Sequence, residues 1–391
     1  MRNEHKRIAI IGAGPGGLTL ARILQQAGYE PAIYERAASS AELQQGGTLD
    51  LEENTGQKAL RSAGLLENFL AACRFEGEAL KVTDKQANVF YEEAAKQSTI
   101  KSAAGGGRPE IDRAKLSSLL FQSLRANSIR WSHKLMQAVP LEHGRHELQF
   151  ENGHTDQVDL VVAADGAFSR IRPLLSGENA AYSGVSMIEL NIINAAAQFP
   201  ELAAFNGTGS MFALDDQKTI MAQFNGDDRI RIYLGFSAER EWLDNNGLDY
   251  TEPASVKRKL LSLFEDWSEE LKNYILHANG PITPRRIYML PVGHRWENKP
   301  GVTLIGDAAH LMSPFAGAGA NLAMLDAAEL GEMIIHHSDL NEAVQAYELK
   351  MFEYAGELAA ETQTNMALFF SDQAAQKLGE KMKAIIGGQQ I

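Results

Sequence analysis

The sequence has one cysteine, Cys73, among 391 residues. No disulfide can close within it, and no thiolate metal cluster can form. Cys73 itself reads as a buried or neutral thiol. Basic residues are in deficit: 37 Lys and Arg face 50 Asp and Glu, for a net charge of -13. Nucleic acid requires a basic face, and an anionic membrane surface attracts one, so neither partner is expected. No run of about 18 apolar residues exists, so no membrane span is expected. Met1 to Arg7 is short and polar, without the apolar core of a signal peptide. The cytoplasm is therefore the expected address. Repeats and low-complexity segments are also missing.

What remains is 45% hydrophobic and 22% charged, the composition of a globular enzyme. The length is enough for two domains. Ile8 to Ile11 is an apolar run ending at Gly12, Leu18 to Ala27 has helical spacing and closes at Gly28, and Pro31 to Tyr34 reads as a second strand. That is a strand–helix–strand opening. Its turn is Gly12-Ala13-Gly14-Pro15-Gly16-Gly17. Gly12 permits the tight turn, Gly14 lets a pyrophosphate approach the backbone, and Gly17 lets helix and strand pack closely. Pro15 opens the helix, whose N-terminal N–H groups and dipole favour phosphate. Glu35 ends the second strand, where a carboxylate can accept both hydroxyls of a ribose. A dinucleotide is expected, and at this step it is either FAD or NAD.

Two further motifs follow buried strands. Leu160 to Ala164 leads into Asp165-Gly166-Ala167-Phe168-Ser169-Arg170-Ile171-Arg172. An Asp-Gly at a strand end is by itself a turn signal; the Ser and Arg at fixed offsets make it more. Val302 to Ile305 leads into Gly306-Asp307-Ala308-Ala309-His310, then Pro314, Phe315, Gly317, Gly319 and Asn321. Asp307 would bond ribityl hydroxyls. Gly317 to Asn321 would present N–H groups at a helix start, where negative charge is stabilised. His310 has no second His or Cys at ligand spacing, so no metal site is expected.

Between these motifs, Asp112 to Leu124 reads as a helix capped by Asp112, after the turn Gly105-Gly106-Gly107. Period-2 stretches such as Arg229 to Phe236 predict antiparallel strands over 181–240. Leu260 to Ala278 reads as a helix, and so does most of Leu340 to Ile386.

The three motifs, in this order and at these separations, resemble the group A flavoprotein monooxygenases of the para-hydroxybenzoate hydroxylase type, over most of residues 5–365. A nearer likeness lies in Gly46-Gly47-Thr48-Leu49-Asp50-Leu51, Gly56-Gln57, Ala63-Gly64-Leu65-Leu66, Pro109-Glu110-Ile111-Asp112-Arg113 and Pro314-Phe315-Ala316-Gly317. These are similar to the tetracycline-inactivating monooxygenases. The resemblance implies an α/β fold: a discontinuous Rossmann-like FAD-binding domain (1–75, 105–180, 285–335) with an inserted antiparallel β-sheet substrate domain (76–104, 181–284). A long C-terminal helical segment (336–391) would bridge the two.

The resemblance also implies roles. Glu35 and Arg36 would hold the adenosine ribose end of FAD. Arg113 would reach the ribityl or phosphate portion, with Asp165, Gly166 and Asp307 nearby. Asp50 would lie beside the flavin on the substrate side. Pro314, Phe315 and Gly317 would line its active face against an aromatic or polycyclic small molecule. NADPH or NADH would supply electrons and O2 the oxygen, through a flavin C4a-hydroperoxide, so no side chain is assigned as nucleophile or general base. A monomer is implied. A flavin oxidase or dehydrogenase on the same scaffold is the alternative. Two stretches depart from the tetracycline branch: Leu43-Gln44-Gln45 lacks its arginine, and the wall around Glu189, Ser210 and Tyr233 lacks its polar substrate contacts.

Overall fold

Three short apolar runs are buried along their whole length: Ile8–Ile11, Leu160–Ala163 and Val302–Leu304. Strands covered on both faces read in this way, and they pair in parallel. In the computed structural model, which describes residues 6–44, 46–94 and 107–388, they form the centre of a five-stranded sheet. Its order is Val302–Leu304, Leu160–Ala163, Ile8–Ile11, Ala32–Tyr34, Ile129–Arg130. Gln45, Gly105 and Gly106 lie outside the described residues.

Helix Pro15–Gln26 leaves the first strand and packs against helix Gly319–His336. The contact is close because glycines make it. A Cβ on Gly16 would stand 2.7 Å from the Ala323 carbonyl oxygen, and one on Gly331 would stand 2.8 Å from Ile23 Cγ2.

The second body is a seven-stranded sheet: Thr283–Met289, Ala181–Ile193, Arg229–Ser237, Lys218–Asn225, Ser210–Asp215, Leu80–Thr83 and Val89–Glu93. Its period-2 pattern separates two faces. Ile188, Leu190, Ile192, Ile230, Ile232 and Leu234 turn toward helices Pro253–Leu263 and Glu269–Leu276. Val185, Met187 and Tyr233 turn the other way, toward Phe315 and Phe369. Residues 285–289 belong to this sheet through pairing with Ala181–Ile193, although the sequence reading assigned them to the flavin side.

Two local expectations are corrected. The helix expected over Leu260 to Ala278 is two helices, because Trp267 is buried in the break and Ser268 caps the second by accepting from Leu271 N–H. Asp112 stands at the N-cap position of helix Arg113–Gln122, yet its carboxylate does not cap it. That carboxylate accepts from the Gly226 N–H at 3.1 Å and pairs with Arg74, which joins the flavin side to the large sheet.

The long helix Leu340–Phe369 spans 30 residues, about 45 Å at 1.5 Å per residue. It is pinned along its length. Asp339 caps it, the Tyr347 hydroxyl donates to the Leu304 carbonyl, and the Thr362 hydroxyl donates to the Ser313 carbonyl. At its far end Phe369 meets Phe212 of the large sheet, ring centroids 5.6 Å apart. No helix of the described residues is long and apolar enough to cross a membrane.

Candidate flavin-binding site

The glycine turn is built as the sequence predicts. Gly12 has φ +110, and a Cβ there would stand 2.3 Å from the Ala164 carbonyl oxygen. A Cβ on Gly17 would stand 2.2 Å from the Gly12 carbonyl oxygen. Gly14 differs: a Cβ there meets nothing within 4 Å. Packing therefore requires Gly12 and Gly17, while the space over Gly14 is open at the N-terminus of the helix that Pro15 begins. An anion fits there.

Glu35 is buried beside this turn. One carboxylate oxygen accepts from the Ala13 N–H at 2.8 Å and the other from the Ala37 N–H at 2.9 Å. Each oxygen keeps a further lone pair for a ribose hydroxyl. Arg36 is exposed next to it.

The second and third motifs meet at the ends of adjacent parallel strands. Asp165 accepts the Arg170 N–H through Oδ2, while its Oδ1 is buried without a partner. Burial pushes its carboxyl above the usual range. A buried acceptor left unpaired calls for a donor, and a ligand hydroxyl is one. Gly166 beside it leaves open space. Asp307 is reached by solvent, yet dense surrounding protein pushes its carboxyl up against the pull of His310, Arg113 and Arg172. Accessible but poorly hydrated is the state of a group on the floor of a deep cleft.

Arg113 is also largely desolvated, which lowers its pKa, with Asp307 and Tyr233 as the groups that oppose the shift. It thus lies between the flavin motif and the wall of the large sheet. Gly46 leaves room for it: a Cβ there would stand 2.4 Å from Arg113 Cδ. Asp50 is likewise held above the usual range by burial, with Arg108 opposing. Its Oδ1 is 3.5 Å from where a Gly317 Cβ would be. Gly319, the first residue of its helix, would place a Cβ 3.8 Å from Asp307 Oδ1. Asp50, Asp307, Gly317 and Gly319 therefore share one cleft. Pro314 is exposed there, and Phe315 is buried behind it against Phe369 and Phe370, at 5.1 and 5.6 Å between ring centroids.

Asn321 is expected to offer the cofactor its backbone N–H, and its amide has a separate task. Its side chain serves the protein: Nδ2 donates to the Asp50 carbonyl, and Oδ1 accepts from Glu52 N–H, Thr55 hydroxyl and Gly56 N–H. Two residues gain roles that sequence reasoning missed. Buried Arg172 donates to the Ala308 and Ala167 carbonyls at 2.8 and 2.6 Å, joining the second and third motifs. Buried Asp326 holds His310 and the Gly306 N–H. The only available signal for Arg172 was its fixed place after Asp165. Cys73 is half-buried, its thiol pushed up to about 11 by burial, so it stays protonated.

The fit to FAD rests on three features of the cleft: an open cradle over Gly14, an orphaned Asp165 oxygen, and poorly hydrated Asp307 and Arg113. They match a group with a pyrophosphate and a polyol chain. The sequence model of the FAD binding domain family matches residues 5–349. The chain belongs to this family. Monooxygenase penA of Penicillium thymicola is 28% identical over 98% of this chain and 100% of its own length. The FAD-dependent urate hydroxylase of Mycolicibacterium vanbaalenii is 25% identical over 90% and 86%. In fold, Klebsiella pneumoniae HpxO complexed with FAD and uric acid superposes with a TM-score of 0.79 at 19% identity, covering 98% of this chain and 95% of that one. Tetracycline destructase Tet(55) follows at 0.74 and 21%, covering 99% and 96%. The resemblance to group A flavoprotein monooxygenases thus holds, and the chain is an FAD-dependent monooxygenase of that group.

Proposed function

We propose that the protein is an NAD(P)H-driven hydroxylase of an aromatic or polycyclic phenolic or enolic small molecule. The observation that carries this reading is the shared cleft. Asp50, Asp307, Gly317 and Gly319 meet on one side, and Phe315 joins it to the aromatic wall formed with Phe369, Phe370 and Phe212.

Gly12, Gly14, Pro15 and Gly17 would hold the pyrophosphate at the helix N-terminus, with Glu35 and Arg36 at the adenosine ribose. Asp165, Gly166, Asp307 and Arg113 would take the ribityl chain, with Asp50 on the substrate side. When bound, FAD supplies the redox chemistry: two electrons from NADH or NADPH and O2 yield one substrate hydroxyl and one water. The protein positions the substrate and keeps water away from it. The Gly317 N–H is taken by the Pro314 carbonyl at 3.0 Å, so the N–H groups of the helix start at Gly319, with the Arg113 cation, would stabilise negative charge in the cleft. Pro314, Phe315 and Gly317 would bound the substrate.

The substrate wall offers no free base at Glu189. Its carboxylate is committed to Arg231 at 3.1 Å and Arg285 at 2.7 Å. An electron-rich substrate that needs no strong base, a phenol or an enol, suits this wall.

The test begins with the absorption spectrum of the purified protein. NADPH and NADH oxidation is then followed with and without tetracyclines and other phenolic or enolic polycycles, with products weighed by mass spectrometry. Stimulated oxidation and a gain of one oxygen is the expected result. Peroxide release without an oxygenated product from any of them would move the reading to a flavin oxidase.

A further inference from the structure

The flavin motifs use Asp307 but leave the last residue of Gly306-Asp307-Ala308-Ala309-His310 without a task. The structure gives it one. His310 is 7% exposed and its Nε2–H donates to Asp326 Oδ2 at 2.6 Å. Asp326 is wholly buried in the middle of helix Gly319–His336. Its Oδ2 also accepts the Gly306 N–H at 2.6 Å, and its Oδ1 accepts the Tyr354 hydroxyl at 2.6 Å from the long helix. A carboxylate buried this fully persists only when paired and hydrogen-bonded, and here three donors converge on it.

The network grips the turn that carries Asp307. Gly306 has φ +61 and ψ -143, a conformation essentially confined to glycine. Its N–H is fixed by Asp326, and its carbonyl accepts the His310 N–H at 3.0 Å. One residue later, Asp307 opens on the cleft. Three cations bear on that carboxylate, and the charge of His310 is the strongest of them, ahead of Arg113 and Arg172. Burial works against protonation of His310, but the charge and hydrogen bond of Asp326 outweigh it and hold the imidazole above its ordinary value.

We propose that His310 is a positioning residue of the flavin site: bonded to Asp326, it fixes the Gly306–Asp307 turn and directs its charge at the Asp307 carboxylate that would meet the FAD ribityl chain. The proposal rests on the assignment of FAD to this cleft. It separates two roles of one side chain. The hydrogen bond to Asp326 maintains the fold, and the positive charge maintains FAD affinity. His310→Gln keeps a neutral donor for Asp326, whereas His310→Leu removes donor and charge together.

The experiment measures thermal unfolding of the apoprotein and FAD affinity by fluorescence quenching, in wild type, both His310 variants, Asp307→Asn and the double variant His310→Gln/Asp307→Asn. The expected result is that His310→Gln, which keeps a donor for Asp326, is more stable than His310→Leu but binds FAD about tenfold more weakly than wild type, while His310→Leu loses stability further. The Gln effect on affinity should shrink to less than threefold in the Asp307→Asn background, because the charge acts through Asp307. Wild-type FAD affinity in His310→Gln, or an effect of equal size in both backgrounds, would overturn the proposal while leaving the flavin assignment intact. Wild-type apoprotein that takes up no FAD would overturn the flavin assignment and this proposal with it.

Discussion

Asn321 holds Asp50 across 271 residues of chain: its Nδ2 donates to the Asp50 carbonyl at 2.7 Å. The same side chain accepts from Glu52, Thr55 and Gly56 through Oδ1, so one amide fixes the segment that presents Asp50 to the cleft. Truncation would leave two backbone N–H groups and a carbonyl without their partners in a largely buried setting. Asn321→Ala is expected to destabilise the protein by about 2–4 kcal/mol, on the scale of several unsatisfied buried groups. FAD affinity should fall with it, since the segment around Asp50 loosens. Urea unfolding followed by FAD titration checks both. Unchanged stability would mean that the segment from Asp50 to Gly56 is held by something other than this amide.

Arg172 plays a comparable part between the second and third motifs. Its Nε donates to the Ala308 carbonyl and its Nη2 to the Ala167 carbonyl. A lysine has one nitrogen and cannot reproduce the fork. Arg172→Lys is expected to cost about 1–3 kcal/mol of stability and to weaken FAD binding severalfold, with the charge itself retained. Thermal unfolding and FAD titration of the variant give both numbers; wild-type values in each would show that the two loops hold their places without the bridge.

Glu110 carries a pH dependence. It is 4% exposed and burial pushes its carboxyl up to about 8, against the opposing charge of Arg74. A carboxyl raised on folding binds its proton more tightly in the folded state. Its stabilising contribution is therefore complete below the usual glutamate range and is lost as the pH rises through about 8. The ceiling on this change is on the order of 5 kcal/mol, because displacing a carboxyl's titration by one pH unit is worth about 1.4 kcal/mol. Glu110→Gln should flatten the profile: the variant gains on wild type between pH 5 and pH 9 and matches it near pH 5. Urea midpoints at pH 5, 7 and 9 measure this. A difference between the two proteins that stays constant with pH would place the Glu110 carboxyl back in the ordinary range.

The parts of the fold that were legible in the sequence are those whose cause is local. The turn at Gly12 shows because strand, helix and backbone sterics fall within a few residues, and Glu35 shows because it ends the next strand. The alternation in Arg229 to Phe236 shows because each side chain faces one of two environments. Arg172, Asn321 and Asp326 act on carbonyls and N–H groups far along the chain, and a sequence pattern does not record which distant backbone group a polar side chain will meet. Asn321 shows the consequence. Its place after Gly319 suggests a backbone contact with a cofactor, and packing gives its amide a second task at residues 50–56 that no local pattern records. The break at Trp267 was hidden for a related reason: helical spacing continues on both sides, and burial of one aromatic in the large core decides where the chain bends.

Three of the four glycines of the turn, Gly12, Gly14 and Gly17, give a prediction that separates folding from binding. Gly14 has φ -73 and ψ 178, which alanine adopts freely, and its added Cβ meets nothing. Gly14→Ala is expected to leave the apoprotein as stable as wild type, within about 0.5 kcal/mol, since backbone strain is absent and alanine reduces unfolded-chain entropy. The new methyl enters the space proposed for the pyrophosphate, so FAD affinity should fall at least tenfold. Gly12→Ala and Gly17→Ala should behave oppositely. Each drives a Cβ to within 2.3 Å of a carbonyl oxygen, and Gly12 adds a positive φ that alanine resists, so losses above about 3 kcal/mol or failure to fold are expected. Circular dichroism melts of the three apoproteins, with FAD titration of those that fold, complete the comparison. If Gly14→Ala bound FAD as tightly as wild type, the pyrophosphate would have to lie elsewhere, and the open space at the helix N-terminus would no longer support a flavin there.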